Sequence, residues 1–161
     1  MEKINFDCSL SGTLINPAEG SRSYATVWAN EEIGTGHARS MINSAQGWSA
    51  QSNNIGQWMI IDLGSDIPVQ AMAIQARKGS SQWVRGYQLK YWRSGESEGN
   101  GVFATNENGE VDFVVPRLES GTAYNTVAFG ESVTARYLQI IVQTWSNHIS
   151  MRAGAVQCPT V

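Results

Sequence analysis

The sequence has little charge: Asp, Glu, Lys and Arg make up 16% of it, against about 25% in an average soluble domain. Eleven basic residues against 14 acidic ones leave a net charge of −3 and an isoelectric point near 5.3. No strong basic field therefore attracts nucleic acid or anionic lipid over a distance, and we expect no nucleic-acid partner. Proline is also scarce, with 4 residues against 16 glycines, a balance typical of a β-protein with many turns.

Long apolar runs are missing too, so the sequence predicts no membrane-spanning segment. Residues 1–8 lack the apolar core of a signal peptide. Three explanations stay open: a leader was removed, the protein leaves the cell by another route, or it stays inside. With 161 residues, the chain is long enough for one domain with a sizeable core.

Catalytic and metal-binding motifs are absent from the sequence. The two histidines, His37 and His148, lie far apart, and no Cys/His spacing typical of a metal site occurs. There is no Gly-x-Ser-x-Gly motif, no P-loop and no dinucleotide fingerprint. The sequence therefore predicts a protein that is not an enzyme, and we expect the His148 ring to make a hydrogen bond inside the protein.

Only two cysteines are present, Cys8 and Cys158, near opposite ends of the chain. A disulfide between them would close a loop of almost the whole chain, which the loop-entropy model values at roughly 4–5 kcal/mol. Two buried free thiols are the alternative. The disulfide is favoured because chain ends often lie close together.

Apolar and polar residues alternate with a period of two, which predicts strands. The stretches with this pattern are 57–64, 69–76, 83–91, 111–115, 126–129, 135–143 and 149–157. Short strands separated by turns at this spacing predict an antiparallel β-sandwich or barrel. Asn108-Gly109 predicts a hairpin turn. Residues 18–57 are polar and rich in Gly and Ser, and we interpret them as long loops of the kind that carry function.

Several short motifs follow one another in a recognisable order. They are Ala25-Thr26-Val27-Trp28, Ala38-Arg39, Gly47-Trp48, Gln57 to Gly64, Gln75-Ala76-Arg77, Gln82-Trp83-Val84, Tyr87 to Tyr91, Ala135-Arg136-Tyr137-Leu138 and His148-Ile149-Ser150-Met151-Arg152. In these motifs, over nearly its whole length, the chain resembles the discoidin family, also called the coagulation factor V/VIII C-type domain. The resemblance implies a single domain over residues 1–161, an all-β antiparallel jelly-roll sandwich with ligand loops at one end, and a disulfide between the first and last strands.

The same resemblance implies a binding module. Members of the family bind carbohydrate, phospholipid headgroups, collagen or peptides. The Gln-x-Arg, Gln-Trp-Val and closing His-Ile segments are similar to those of the amoebal discoidins, which are galactose and N-acetylgalactosamine lectins. We therefore expect a lectin-like module that recognises cell-surface glycans in cell adhesion, located outside the cell or at its surface. A cytoplasmic protein with unconventional export is the alternative location.

Three positions depart from the family pattern. Arg77-Lys78-Gly79 stands where the amoebal loop has Arg-Gly-Asp, so that adhesion signal is absent. Ser49 follows Trp48 where bacterial galactose-binding relatives have a histidine. Gln157 stands near the acidic residue with which those relatives close a structural calcium site, and the loop around Asn43 has no Asp. We therefore expect no cofactor and no metal, with a structural calcium as the alternative.

Arg77 is the first candidate ligand-binding residue, because its five donors suit sugar hydroxyls or a phosphate. A solvated loop cation is the alternative, for Arg77 and for Lys78 beside it. Trp83 offers a flat face to a sugar ring or belongs to the core at the start of a strand. Trp28, in a polar loop, is a candidate sugar platform or membrane contact.

The acidic turn after Trp28 supplies further candidates. Asn30, Glu31 and Glu32 carry oxygens that accept hydroxyl hydrogens, although a solvated turn explains them equally well. Other residues are interpreted as structural. The tryptophans Trp48, Trp58 and Trp145 are expected in the core, and Arg39 and Arg152 are expected to pair with buried carboxylates such as Asp62.

Two functions compete with the sugar-binding hypothesis. A phospholipid-headgroup module would use apolar side chains beside cations. Trp28 and Ile33 suit that role, but Glu31 and Glu32 would repel an anionic surface. A peptide or protein receptor is the third possibility. Because a single sugar site binds weakly, a lectin would need several copies of the site, from a homo-oligomer or from an oligomerising domain beyond Val161.

Overall fold

Nine antiparallel strands form the fold, in a computed structural model that describes residues 5–116 and 123–161. The strands are β1 Thr13–Ile15, β2 Arg22–Tyr24, β3 Trp48–Ser49, β4 Trp58–Gln75, β5 Trp83–Trp92, β6 Val102–Phe103, β7 Asp112–Val114, β8 Asn125–Ser146 and β9 Ser150–Gln157. Single 3₁₀ turns occur at Glu19–Ser21, Trp28–Asn30 and Glu98–Asn100. Within the described ranges, no helix is long and apolar enough to cross a bilayer. The predicted all-β jelly-roll sandwich is confirmed.

Two long strands connect the layers of the sandwich. β4 has 18 residues and β8 has 22, about three to four times the usual strand length. They pair with each other along their length, with register shifts between Asp62 and Ile67 and between Val69 and Ala71. Such irregularities bend a strand. The first part of β4 therefore pairs with β2, while its last part pairs with β9.

The edge beyond β5 consists of two short strands with a turn between them. The Asn108-Gly109 turn forms, with Gly109 in the left-handed region at φ 79°. β6 and β7 on either side of it both pair with β5. The predicted turn is therefore present, closed by Gly109 N donating to Asn106 O and Asn106 N donating to Glu110 O, and it lies between two short strands of one edge.

The core follows the predicted alternation. Met59 and Ile61 of β4 are fully buried, as are their partners Ile140 and Leu138 on the neighbouring strand β8. Trp48 is fully buried as predicted. Trp58 and Trp145, also predicted in the core, are only partly buried. The 18–57 region is mostly loop, as predicted, apart from the short strands β2 and β3 and two 3₁₀ turns.

The two ends of the described chain meet. Cys8 and Cys158 form a disulfide with their Cα atoms 4.9 Å apart, and a β-bridge joins Phe6 to Thr160. The predicted disulfide is confirmed. It closes a loop of almost the whole chain, because 150 positions separate the two cysteines.

The Arg22 side chain is enclosed in the protein, with 2% of the residue exposed. Its N–H groups donate to oxygens from three segments of the chain: Asn16 Oδ1 and Pro17 O, Ser40 O, and Ala153 O. Glu19 lies 3.9 Å from Nε. Burial lowers the pKa of Arg22 to about 10, so the guanidinium stays charged at neutral pH. It joins β2 and the loop around Ser40 to the last strand.

The carboxylate of Asp62 pairs with Arg136. Arg136 Nε lies 2.9 Å from Oδ1, and Nη2 lies 3.2 Å from Oδ2. The prediction that Arg39 or Arg152 pairs with Asp62 is therefore wrong. Arg39 donates to Gly36 O at 3.0 Å. Arg152 is buried and donates to two backbone carbonyls. Arginine satisfies carbonyls as readily as carboxylates, and a sequence does not tell the two apart.

Replacing Arg22 should destabilise the protein strongly. Arg22→Ala leaves the carbonyls of Pro17, Ser40 and Ala153 without this donor in a dry environment, and we expect a loss of about 3 kcal/mol or more in the free energy of unfolding. Urea denaturation measures it. Arg93→Ala, which removes an exposed arginine, is the control and should change stability by no more than about 0.5 kcal/mol. Equal stability of both variants would contradict the assignment.

The Asp62–Arg136 pair should stabilise the fold only above acidic pH. The hydrogen bond from Arg136 lowers the pKa of Asp62 below its ordinary value of 3.8. Stability is therefore fully present above that value and is lost as pH falls through the folded-state pKa. Because both side chains are about one third exposed, Asp62→Asn should cost at most about 1 kcal/mol at neutral pH.

Urea denaturation at neutral pH and near pH 2.5 tests this pH dependence. The difference between Asp62→Asn and the parent protein should shrink in acid. Glu107→Gln, which removes an exposed carboxylate, should follow the parent protein at both values. A difference that persists undiminished in acid would show that the charge of Asp62 is not what stabilises the fold.

Candidate functional site

A pocket of about 280 Å³ opens where the loops meet at one end of the sandwich. Its lining comes from the segment after β2, from β3, from the loop between β4 and β5, and from the turn before β9. The side chains that line it are Trp28, His37, Ser49, Arg77, Gln82 and His148. Cationic, aromatic and amide groups thus face one small, open volume.

Arg77 follows the last residue of β4 and is half-buried. Its Nε donates to Gln46 Oε1 at 2.6 Å, and its Nη1 donates to Gln82 Oε1 at 3.1 Å. The loop is closed by Arg77 N donating to Gln82 O and by Ser80 N donating to Arg77 O. The guanidinium is therefore held in a fixed orientation by two neutral amides.

The backbone that carries Arg77 is supported from below. Arg152 donates to Ala76 O at 2.8 Å and to Ser44 O at 2.9 Å, which ties the start of the Arg77 loop to the neighbouring loop. Gly47 lies against Arg77: a Cβ at position 47 would stand 3.0 Å from Arg77 Cα. The absent side chain at this glycine therefore lets the two loops approach each other.

Trp28 forms the apolar wall of the site and is 47% exposed. Its ring meets the His148 ring edge to face, with centroids 5.8 Å apart. Ala29 and Asn30, which follow it, both lie in the left-handed region, with φ 58° and 52°. Non-glycine residues in this region cost energy and concentrate at functional sites. The turn holds the indole out of the core and beside the pocket.

The two histidines are oriented by hydrogen bonds. His148 Nε2 lies 2.9 Å from Ala50 O. His37 Nδ1 lies 2.7 Å from Glu31 Oε1, and His37 N also donates to this carboxylate. The hydrogen bond from His37 lowers the pKa of Glu31. Because carbonyl and carboxylate oxygens only accept, each ring donates through the stated nitrogen and keeps its other nitrogen for a ligand.

Not all of the ligand residues predicted from the sequence line the pocket. Arg77 and Trp28 line the same pocket. Lys78, Asn30 and Glu32 are exposed and lie outside the lining. Trp83 is partly buried and packs against the core at the start of β5.

Four pocket residues were not among the predicted ligand residues: His37, Ser49, Gln82 and His148. The predicted internal hydrogen bond of His148 is present, but the same ring also borders the pocket. Gln82 belongs to the motif Gln82-Trp83-Val84, so the sequence offered a reason to consider it as a ligand residue. No motif pointed to His37, because its position depends on Glu31 and on Ser49, whose N donates to His37 O. Among residues 5–116 and 123–161, no three His, Cys, Asp or Glu side chains converge as metal ligands would.

Comparison with known proteins identifies the family of this chain. Residues 25–154 match the family model of the F5/8 type C domain. Over 113 residues the chain is 25% identical to lactadherin from Mus musculus. Discoidin II from Dictyostelium discoideum is a structural neighbour, with 20% identity and a TM-score of 0.60. A family 32 CBM from C. perfringens NanJ, solved in complex with galactose, has 16% identity and a TM-score of 0.59.

The lengths of these proteins differ. The match to lactadherin covers 69% of this chain and 23% of lactadherin. The structural match covers 96% of this chain and 60% of discoidin II. For the C. perfringens module the shares are 91% and 100%. The match thus spans about a quarter of lactadherin and three fifths of discoidin II.

The hydrogen bond to Ala50 fixes the tautomer of His148. When the ring is neutral we expect the proton on Nε2 and a free Nδ1, since a carbonyl cannot donate. Long-range proton–nitrogen correlation spectra of the protein read the tautomer directly. A His37→Gln variant assigns the two rings. A proton on Nδ1 of neutral His148 would show that this hydrogen bond does not form.

Proposed function

The chain belongs to the F5/8 type C (discoidin) family, and on that premise we propose that it is a carbohydrate-binding module whose pocket holds a terminal galactose-type sugar. One observation carries the proposal: an oriented arginine and a half-exposed tryptophan share one open pocket at the loop end. Sugars need this combination, because a pyranose has an apolar face and an edge of hydroxyl groups. The module binds and does not catalyse.

Three side chains of the pocket contact the sugar in this proposal. The Trp28 ring packs against the apolar face of the sugar. Arg77 donates to hydroxyl oxygens through N–H groups that Gln46 and Gln82 do not occupy. His148 accepts a hydroxyl hydrogen through Nδ1, since Nε2 faces Ala50. Donors and acceptors on different loops would fix both the position and the orientation of the sugar ring.

Cell-surface glycans are the partners that this function implies. A shallow, open site binds one sugar weakly, and avidity for a cell surface requires several sites. We propose that they come from copies of this chain or from further domains joined to it. The Cys8–Cys158 disulfide fits an oxidising location such as the cell exterior. The site as proposed uses no metal ion and no cofactor.

A phospholipid headgroup is the second candidate ligand. It is favoured by exposed apolar residues on neighbouring loops: Trp28, Ile33 and Ile55 are 47%, 49% and 70% exposed. The loop that carries Ile55 is joined to the Trp28 segment because Gln51 N and Gln57 Oε1 both bond to Thr26 Oγ1. Against this candidate stand the exposed Glu32 on the same segment as Trp28 and the net charge of −3, which oppose an anionic surface.

Removing the Arg77 guanidinium should abolish sugar binding without unfolding the protein. We expect the parent protein to be retained on a galactose resin and eluted by free galactose, while Arg77→Ala flows through. The thermal midpoint should fall by only a few degrees, because the half-buried side chain gives up two hydrogen bonds that contribute about 1 kcal/mol each. The matched control is Arg93→Ala. Arg93 is an exposed arginine beyond the far end of β5, about 30 Å along the strand from the pocket end.

Vesicle sedimentation separates the two candidate ligands. Binding to phosphatidylserine vesicles should be weak and should disappear at moderate salt, because a few cations contribute about 1 kcal/mol each and are screened. Sugar binding through hydroxyl groups should be nearly independent of salt. Salt-resistant vesicle binding together with no retention on galactose would reject the proposal in favour of the lipid.

A further inference from the structure

The pocket carries a positive charge that the surrounding protein does not neutralise. Both groups that hold Arg77 are amide oxygens, Gln46 Oε1 at 2.6 Å and Gln82 Oε1 at 3.1 Å. In the part of the chain that the structure describes, no carboxylate lies within 4 Å of its guanidinium. Amide oxygens orient a guanidinium but leave its full charge. Three of its five N–H groups have no partner among the described residues.

Arg136, another partly buried arginine of the same chain, is neutralised by a carboxylate. Arg136 meets Asp62 through two hydrogen bonds of 2.9 and 3.2 Å, the two-point geometry in which a carboxylate binds best. A carboxylate brought to Arg77 would find free N–H groups for the same interaction. Arg136 is thus already paired with a carboxylate, whereas Arg77 in the pocket still has N–H groups with which to bind one.

The acidic group near the pocket is already engaged. The Glu31 carboxylate accepts from His37 Nδ1 at 2.7 Å and from His37 N at 3.1 Å. It faces this histidine and is not part of the pocket lining. Glu32 is exposed and also lies outside the lining. No Asp or Glu lines the pocket, so an incoming anion meets no like charge on its walls.

The charge and the aromatic wall together select a class of ligand. A free inorganic anion would use Arg77 and leave Trp28 unused. A neutral sugar would use Trp28 and leave the charge of Arg77 uncompensated. We infer that the preferred ligand of this pocket is an acidic sugar, a pyranose whose carboxylate pairs with Arg77 while its ring packs on Trp28. This inference rests on the proposed sugar-binding function and narrows it to a chemical class.

Matched ligands test the inference. Galacturonate, its neutral methyl ester and galactose share one ring and differ at C6, and sialyllactose and lactose form a second acid–neutral pair. In calorimetric titrations at low salt, the acid of at least one pair should bind about tenfold more tightly than its neutral partner, because charge-assisted hydrogen bonds are roughly twice as strong as neutral ones. The preference should shrink at 1 M salt, where the Debye length is about 3 Å.

Variants assign the preference to Arg77. Arg77→Gln should lose the preference for the acid, whereas Arg77→Lys should keep part of it, because the lysine retains the charge without the fixed fork. Arg93→Gln, the same change at the far end of β5, should behave as the parent protein. Thermal midpoints of all three variants establish that they are folded.

The outcomes distinguish the inference from the proposed function. If galactose and lactose bind as tightly as the acids, the acidic-sugar inference is wrong and the sugar-binding function stands. If the preference for the acid survives in Arg77→Gln, the charge that recognises it lies elsewhere and the inference is again wrong. If none of the five sugars binds, the proposed function fails together with the inference.

Discussion

The buried guanidinium of Arg22 is the constraint on which the rest of the structure depends. An ion of this kind is stable in the interior only when oxygens surround it, and these oxygens come from separate parts of the chain. Ser40 belongs to the polar loop region, and Ala153 belongs to the last strand. If the polar loops detached from the sheet, the guanidinium of Arg22 would lose some of the oxygens that surround it. The protein would then contain a buried charge without enough hydrogen-bond partners. One buried cation thus ties the polar loop region to the last strand.

A series of hydrogen bonds and aromatic contacts connects the surroundings of Arg22 with the pocket. Two residues along β2, Tyr24 donates to or accepts from Ser40 Oγ at 2.7 Å and stacks on Trp48 at 5.5 Å. Trp48 Nε1 donates to Thr26 O, two residues before Trp28. Each step is a hydrogen bond or a ring contact that fixes the next one. The exposed indole of the pocket is thus connected to the core although it packs little against it.

The strand pattern of this fold could be predicted from the sequence because burial repeats with the pleat, as in Met59 and Ile61. The pocket could be predicted only in part. Arg77 and Trp28 stood in local motifs. His37 could not be found, since its place depends on how its own loop folds back, with His37 Nδ1 bonded to Glu31 and His37 O accepting from Ser49 N. The partner of Asp62 was wrong for a related reason: Asp62 stands opposite Tyr137, and Arg136 reaches it at the irregularity in the pairing of β4 with β8, which local sequence does not reveal.

Arginine serves three different ends in this protein, and its partners decide which. Carbonyl oxygens enclose Arg22 and make it a structural centre. A carboxylate neutralises Arg136 at the surface. Two amides hold Arg77, which fixes its direction while leaving its charge and most of its donors unused. Fixing a cation with neutral groups keeps the ordering cost low at the moment of binding, because the side chain is already immobile. Recognition at this pocket thus follows from how the arginine is held.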